Sequence, residues 1–242
     1  MKQLRIGFAA LFILPILILS PLYAFLPAAF MKGEKKDRFL RKNGHFIGSA
    51  ICFFLGVHVQ VDGQENVPEG GKICYMSNHQ SMLDIAAFVG PGNLWASVIV
   101  KAELKKVPII AQWCNALDCV FIERKSPHDS IKAIFRGVEK LKNGGSMLIY
   151  PEGTRSKSGK VEELKNGSLK LATRAKATIV PITVKGMRAG LENIKDFRRV
   201  NAYFSIGEPI PTENLSDEEI KGLDQVVYGA IKTRFEQLPG LN

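Results

Sequence analysis

From Ile6 to Met31 the chain runs for 26 residues without a charge, mostly Leu, Ile, Phe and Ala. About 20 apolar residues are enough to cross a bilayer core as a helix, so this run predicts membrane contact before anything else about the fold. Pro15, Pro21 and Pro27 each remove a backbone donor and favour a bend. The expectation is a kinked helix over residues 1–31. A second apolar run, Phe46 to Val57, has only 12 residues, which suits an interfacial segment better than a span. The strongly basic stretch between the two reads as a linker leading into a short second helix.

The first 42 residues hold eight Lys or Arg against Glu34 and Asp37, so +6 of the formal net charge of +10 lies here. Basic residues beside an apolar segment match the anionic cytoplasmic leaflet and favour keeping the chain that follows in the cytoplasm. The expected location is the cell membrane, with the remaining chain on its cytoplasmic face and membrane lipids as partners. No basic stripe with interleaved aromatics points to nucleic acid. The competing reading is a secretory signal peptide, since Lys2 and Arg5 precede the apolar run, but that run is long, proline-rich and followed by basic residues. Cys52, Cys74, Cys114 and Cys119 include no C-x-x-C pair and suggest neither a zinc site nor a disulfide framework, so reduced thiols are expected.

Beyond residue 57 short apolar runs alternate with helical periodicity, which predicts an α/β domain over 58–242: a mixed sheet of about seven strands flanked by helices, behind an N-terminal apolar anchor. The strand candidates are "VHVQVDG", "KICYMSN", "LWASVIVK", "DCVFIER", "SMLIYPE", "TIVPITVKG" and "NAYFSIGEPI". Ile131, Ile134, Phe135, Val138 and Leu141 recur at helical spacing before "NGG", predicting a helix over 127–142. Another opens at Ser216, where Glu219 completes a capping-box spacing, and runs to about Leu238. The segment 156–163, "SKSGKVEE", reads as one mobile loop.

Ligands of α/β domains gather where strands end at their carboxyl edge. Three of the strands end in polar clusters: His79 and Asp84 after the second, Arg124 after the fourth, and Glu152 to Ser156 after the fifth. An imidazole can take a proton at neutral pH, and a carboxylate on its other nitrogen fixes the tautomer and stabilises the imidazolium. Five residues apart on one continuous helix, His79 and Asp84 would point about 140° from each other. They meet only if His79 lies in the loop before a helix and Asp84 reaches back from its first turn. Asp84 can equally complete a capping box with Ser81, and Asn78 can be a turn residue. Arg124 and Arg155 have the planar donor geometry that holds phosphate, Gly153 lets backbone approach an anion, and Glu152 can pair with Arg155 or meet a substrate hydroxyl. No G-x-S-x-G elbow, P-loop, G-x-G-x-x-G or metal-ligand spacing is present, so a covalent acyl-enzyme, a nucleotide and a metal are not expected.

In order, "NHQSMLD" (78–84), "VFIER" (120–124), "YPEGTRS" (150–156) and "IVPITV" (179–184) resemble the four motif blocks of the glycerolipid acyltransferase family, most closely its bacterial 1-acylglycerol-3-phosphate acyltransferases. The resemblance covers roughly residues 58–210. It implies His79 as general base with Asp84 as its partner, and a phosphate site at Arg124, Gly153 and Arg155, with Glu152 and Thr154 in the same block. Lys101 is implied as a further phosphate contact, and Pro181 as an acyl contact or packing residue. Many relatives carry glycine near Asp118. The implied reaction moves an acyl group from acyl-CoA or acyl-carrier protein to lysophosphatidic acid, without a cofactor. Another lysolipid acceptor, or a non-catalytic lipid-binding protein, is the alternative.

Overall fold

The computed structural model describes residues 2–123, 127–165 and 167–240. Seven strands form where the apolar runs were expected: β1 (Val57–Asp62), β2 (Ile73–Ser77), β3 (Ser97–Lys101), β4 (Val120–Ile122), β5 (Ser146–Ile149), β6 (Thr178–Lys185) and β7 (Val200–Ile206). The helices are α1 (Lys2–Ser20), α2 (Leu26–Ala29), α3 (Gly33–Phe54), α4 (Leu83–Val89), α5 (Pro108–Ala116), α6 (Pro127–Lys142), α7 (Lys170–Ala175), α8 (Met187–Gly190) and α9 (Asp217–Gln237). Ser216 caps α9 with the reciprocal Glu219 bond, as its spacing predicts.

The strands join one mixed sheet in the order β1-β7-β6-β2-β5-β3-β4. Among the described residues only the β6–β7 strand pair is antiparallel, so β6, β2, β5, β3 and β4 present their carboxyl ends along one edge. Central β2 is buried at all five residues. Its side chains alternate between the two faces: Ile73 and Tyr75 join the core with Phe88, Val180 and Phe204, while Cys74 and Met76 join the core with Leu141, Met147 and Ile231. Tyr75 and Phe204 both meet Phe88 edge to face, at ring centroid distances of 5.3 and 6.3 Å. A sheet covered on both faces puts its chemistry at its edge.

The N-terminal region differs from its expected organisation. Residues 33–54 form a single 22-residue helix, so the basic stretch read as a linker is the first half of α3. Lys, Glu and Arg are good helix formers, and Glu34 pairs with Arg38 one turn on, at 2.6 Å. Helical structure also continues past Ser20: Pro15 lies inside α1, and Pro21 begins a π-helical turn that runs into α2.

Phe12 stacks on Phe54 at 4.8 Å, placing the middle of α1 beside the end of α3 as a helical hairpin. Arg5 fastens that end. It is only 4% exposed, a costly state for a cation. Its guanidinium donates to the carbonyls of Leu55, Asp196 and Arg198, which offsets the lost water. Gly56 turns there with φ +66°, and a Cβ would strike Arg5. Cys52, Cys74 and Cys114 are buried and Cys119 is partly buried.

Helix α3 crosses α4 at Gly48 and Gly90. A Cβ on Gly48 would lie 2.6 Å from the Ala86 carbonyl oxygen and 2.7 Å from the Gly90 nitrogen, both backbone atoms that cannot yield cheaply. Gly48→Val is expected to destabilise the protein by about 1–3 kcal/mol, lowering Tm in detergent by roughly 3–10 °C. Gly7→Ala, where a Cβ meets nothing within 4 Å, is the control and leaves Tm unchanged or higher. Equal melting of both variants would contradict the close crossing.

Candidate active site

The loop leaving β2 is pinned before it reaches any functional group. Asn78, 1% exposed, pairs with Val184 of β6 in both directions, at 2.8 and 2.7 Å, extending the sheet by one residue with its side chain. Its side chain takes the place of a strand residue's backbone, a role beyond the turn residue that was one reading of it. Gln80 receives the Gly186 amide and donates to the Gly159 carbonyl. The His79 carbonyl accepts the Ser156 amide at 2.7 Å, so the β2 and β5 loops are stitched together at the histidine.

Asp84 is the second residue of α4 and His79 lies in the preceding loop, the one arrangement in which their spacing lets them meet. His79 Nδ1 stands 2.8 Å from Asp84 Oδ2, and the same oxygen accepts the Gln80 and Ser81 amides at 2.7 and 3.0 Å. The carboxylate therefore closes the helix start and orients the imidazole at once. Burial pushes the Asp84 carboxyl above its usual range, while the hydrogen bonds from His79, Ser81 and Gln80 pull it back. Asp84 Oδ1 is buried and takes no partner among the described residues. Tyr150 stacks on the imidazole at 3.8 Å and 19°, fixing the ring plane. With Nδ1 engaged, Nε2 is the nitrogen left for chemistry, and the His79 side chain is 18% exposed.

The other expected residues divide. Glu152 is 4% exposed and accepts the Glu162 amide at 3.3 Å, beneath the site. It does not pair with Arg155. Burial, partly opposed by the Glu162 and His79 amides, pushes its carboxyl up to about 7. Gly153 has φ +74°, the left-handed region that favours glycine, while the Lys165 side chain near the place of a Cβ is flexible and can move aside. The Gly153 amide is taken by the Tyr150 carbonyl and is not a free anion donor. Thr154 is exposed at the loop tip. Arg155 pairs with Glu192, at 3.0 Å. Lys101 is exposed at the end of β3, two strands from β2 on the same edge. Pro181 is buried within β6 opposite Met76, the position of a packing residue. Arg124 lies outside the described residues.

The stretch 156–163 is tied down. Ser156 and Ser158 both donate to Glu162, the Gly159 amide donates to Ser156, and Val161 is buried. Short polar residues read as mobile because their bonding is local and leaves no periodicity.

An apolar cavity of about 300 Å³ opens between α1, α3 and the start of α4, lined by Ile6, Ala9, Ile13, Ile51, Leu55, Met82 and Leu191 among others. Met82 brings its wall within three residues of His79. Chemically the edge offers a base with a fixed tautomer, a guanidinium, and an apolar hollow beside them.

A family model described as Acyltransferase matches residues 58–185. The chain belongs to the acyltransferase family. It is 33% identical over 166 residues to a chloroplastic 1-acyl-sn-glycerol-3-phosphate acyltransferase of Brassica napus, covering 65% of this chain and 48% of that one. A chloroplastic enzyme of the same name from Arabidopsis thaliana is 31% identical over 212 residues, covering 84% and 56%. The chain thus spans about half the length of these two relatives. The crystal structure of the 1-acyl-sn-glycerophosphate acyltransferase of Thermotoga maritima superimposes with TM-score 0.82 at 27% identity, covering 98% of this chain and 97% of that one. The acyltransferase fold thus includes the α1–α3 hairpin.

Three groups at this acyltransferase's site were not foreseen. Tyr150 stood in a quoted motif, but stacking needs strand register to be known. The Ser81 hydroxyl was read only as a cap. Glu192 lies 111 residues from Ser81 in a loop without periodicity, so no local signal announces it.

Folding takes up a proton at Glu152, because its folded value near 7 exceeds the usual glutamate range. The associated stability is complete at pH values below that range and is lost as pH rises through about 7. Glu152→Gln keeps an acceptor for the Glu162 amide and cannot ionise. Its Tm relative to wild type is expected to be higher at pH 8 than at pH 5, by roughly 2–6 °C. A difference independent of pH would contradict burial of the carboxyl.

Proposed function

We propose that this protein transfers an acyl group from a thioester, acyl-CoA or acyl-carrier protein, to the sn-2 hydroxyl of 1-acylglycerol 3-phosphate, giving phosphatidic acid for phospholipid synthesis. The observation that carries this reading is the His79 Nδ1–Asp84 bond, which directs Nε2 outward as a base beside a guanidinium and an apolar hollow. The names of the relatives support it.

In the proposed mechanism His79 Nε2 takes the proton of the acceptor hydroxyl as that oxygen bonds to the thioester carbonyl carbon. The tetrahedral intermediate collapses, the C–S bond breaks, and the imidazolium returns its proton to the departing sulfur. Asp84 stabilises the imidazolium in between. Base catalysis supplies about 10²- to 10⁴-fold, and holding the reactants in register supplies much of the remainder. Arg155 is assigned to the acceptor phosphate, together with Lys101 and Arg124. The cavity beside Met82 is suited to an acyl chain.

Residues 1–57 are proposed as the membrane-associated segment and 58–242 as the acyl-transfer domain, on the cytoplasmic face. Phe8, Leu11, Ile18, Leu22 and Phe53 are exposed apolar residues of the hairpin region. The charged first half of α3 belongs to the same hairpin, which favours its lying along one leaflet at head-group depth over crossing the bilayer. Both lipids of the reaction reside there.

The test is thiol release by detergent-solubilised protein given acyl-CoA, with and without lysophosphatidic acid. Acceptor-dependent release that falls about 10²- to 10⁴-fold in His79→Ala is expected. Arg155→Ala should raise the acceptor KM by about 10- to 100-fold. Release without acceptor would instead indicate a thioesterase, and undiminished turnover in His79→Ala would contradict the assignment of the base.

A further inference from the structure

The loop from α8 to β7 brings Glu192 to the catalytic edge. Its carboxylate collects three donors: the Ser81 hydroxyl at 2.6 Å, the Met82 amide at 3.1 Å and Arg155 Nη1 at 3.0 Å. Ser81 also gives its backbone amide to Asp84, so one residue borders both this anion and the His79 pair. The Glu192 carbonyl accepts Lys2 Nζ at 2.8 Å, which seats its loop against α1. A guanidinium, a hydroxyl and an amide pointing at one spot form a set that recognises carboxylates and phosphates alike.

We infer that Glu192 is an internal anion held in the seat of the acceptor's phosphate, and that acceptor binding proceeds by displacing its carboxylate from Arg155. This rests on the reading of Arg155 as a phosphate contact. An ion pair that only positioned Arg155 would be a strut. The exposure of the pair argues for a displaceable contact instead, with Arg155 45% and Glu192 20% exposed. Ion pairs so open to water shift equilibria by only about two- to fivefold. A phosphate monoester carries more charge and more acceptor oxygens than a carboxylate, and so can replace it. Glu192 then sets how strongly a phosphate must bind, selecting against singly charged or neutral head groups that cannot displace it.

The experiment measures binding of sn-glycerol 3-phosphate and of inorganic phosphate to the full chain in detergent, by titration calorimetry. Wild type is compared with Glu192→Gln, Arg155→Ala, the double variant, and Glu163→Gln, which removes an equal charge from an exposed neighbouring loop. Glu192→Gln removes the charge and keeps one acceptor oxygen, which can stay on the Met82 amide while its NH2 group faces the Ser81 hydroxyl as donor, and melting curves verify that each variant folds. The apparent Kd is expected to fall about two- to fivefold in Glu192→Gln. Glu163→Gln should change it less, and Glu192→Gln should have no effect once Arg155 is Ala. Weaker or unchanged binding in Glu192→Gln, with binding still dependent on Arg155, would make Glu192 a strut and overturn this inference alone. Binding indifferent to Arg155→Ala, or undetectable in every variant, would overturn the phosphate seat as well.

Discussion

One oxygen organises the edge where the candidate active site lies. Asp84 Oδ2 accepts the His79 ring and the amides of Gln80 and Ser81 from a buried position, so one carboxylate ties together both ends of the turn from β2 into α4. A buried carboxylate is costly unless its acceptor sites are filled, and here filling them is what aims the imidazole. The capping and catalytic readings of Asp84 are thus the same three hydrogen bonds. Around them the protein adds rigidity in layers: Asn78 extends β2 onto β6, Tyr150 clamps the ring plane, and Ser156 binds the neighbouring loop to the histidine carbonyl. Preorganisation of this kind is how a weak base becomes effective, because little is left to reorganise when the substrate arrives.

The strands were legible because a sheet buried on both faces writes itself as short apolar runs bounded by turn residues, as in "KICYM". The helix over 127–142 and the capping box at Ser216 were legible because their signals are local. The extent of α3 was not. Its first half is charged and solvated and has no apolar stripe to count, yet helix propensity and the Glu34–Arg38 pair are enough to continue it. Asp118 adopts φ +52° at the turn before β4, a left-handed conformation that asparagine, aspartate and glycine enter most readily. Glu192 and the cavity arise from contacts between distant segments, which periodicity cannot express.

The hairpin and the catalytic edge are also mechanically joined. Lys2 and Arg5, which at sequence level look like the charged start of a leader, hold carbonyls between Glu192 and Arg198, and Arg5 is buried in doing so. Trp113 of α5 meets Phe25 edge to face and donates to Ser20, fixing the far end of α1. The apolar cavity has walls from both the hairpin and the acyltransferase domain. The N-terminal hairpin therefore shapes the surroundings of the site.

A double-mutant cycle on His79→Ala and Asp84→Asn, read as acceptor-dependent thiol release under kcat/KM conditions, tests the central claim most directly. If Asp84 acts through the imidazole, Asp84→Asn alone costs about 10²-fold or more, and the double variant is no slower than His79→Ala within about twofold. Losses that multiply, or an Asp84→Asn variant with wild-type turnover, would show that the carboxylate shapes the loop without orienting the base.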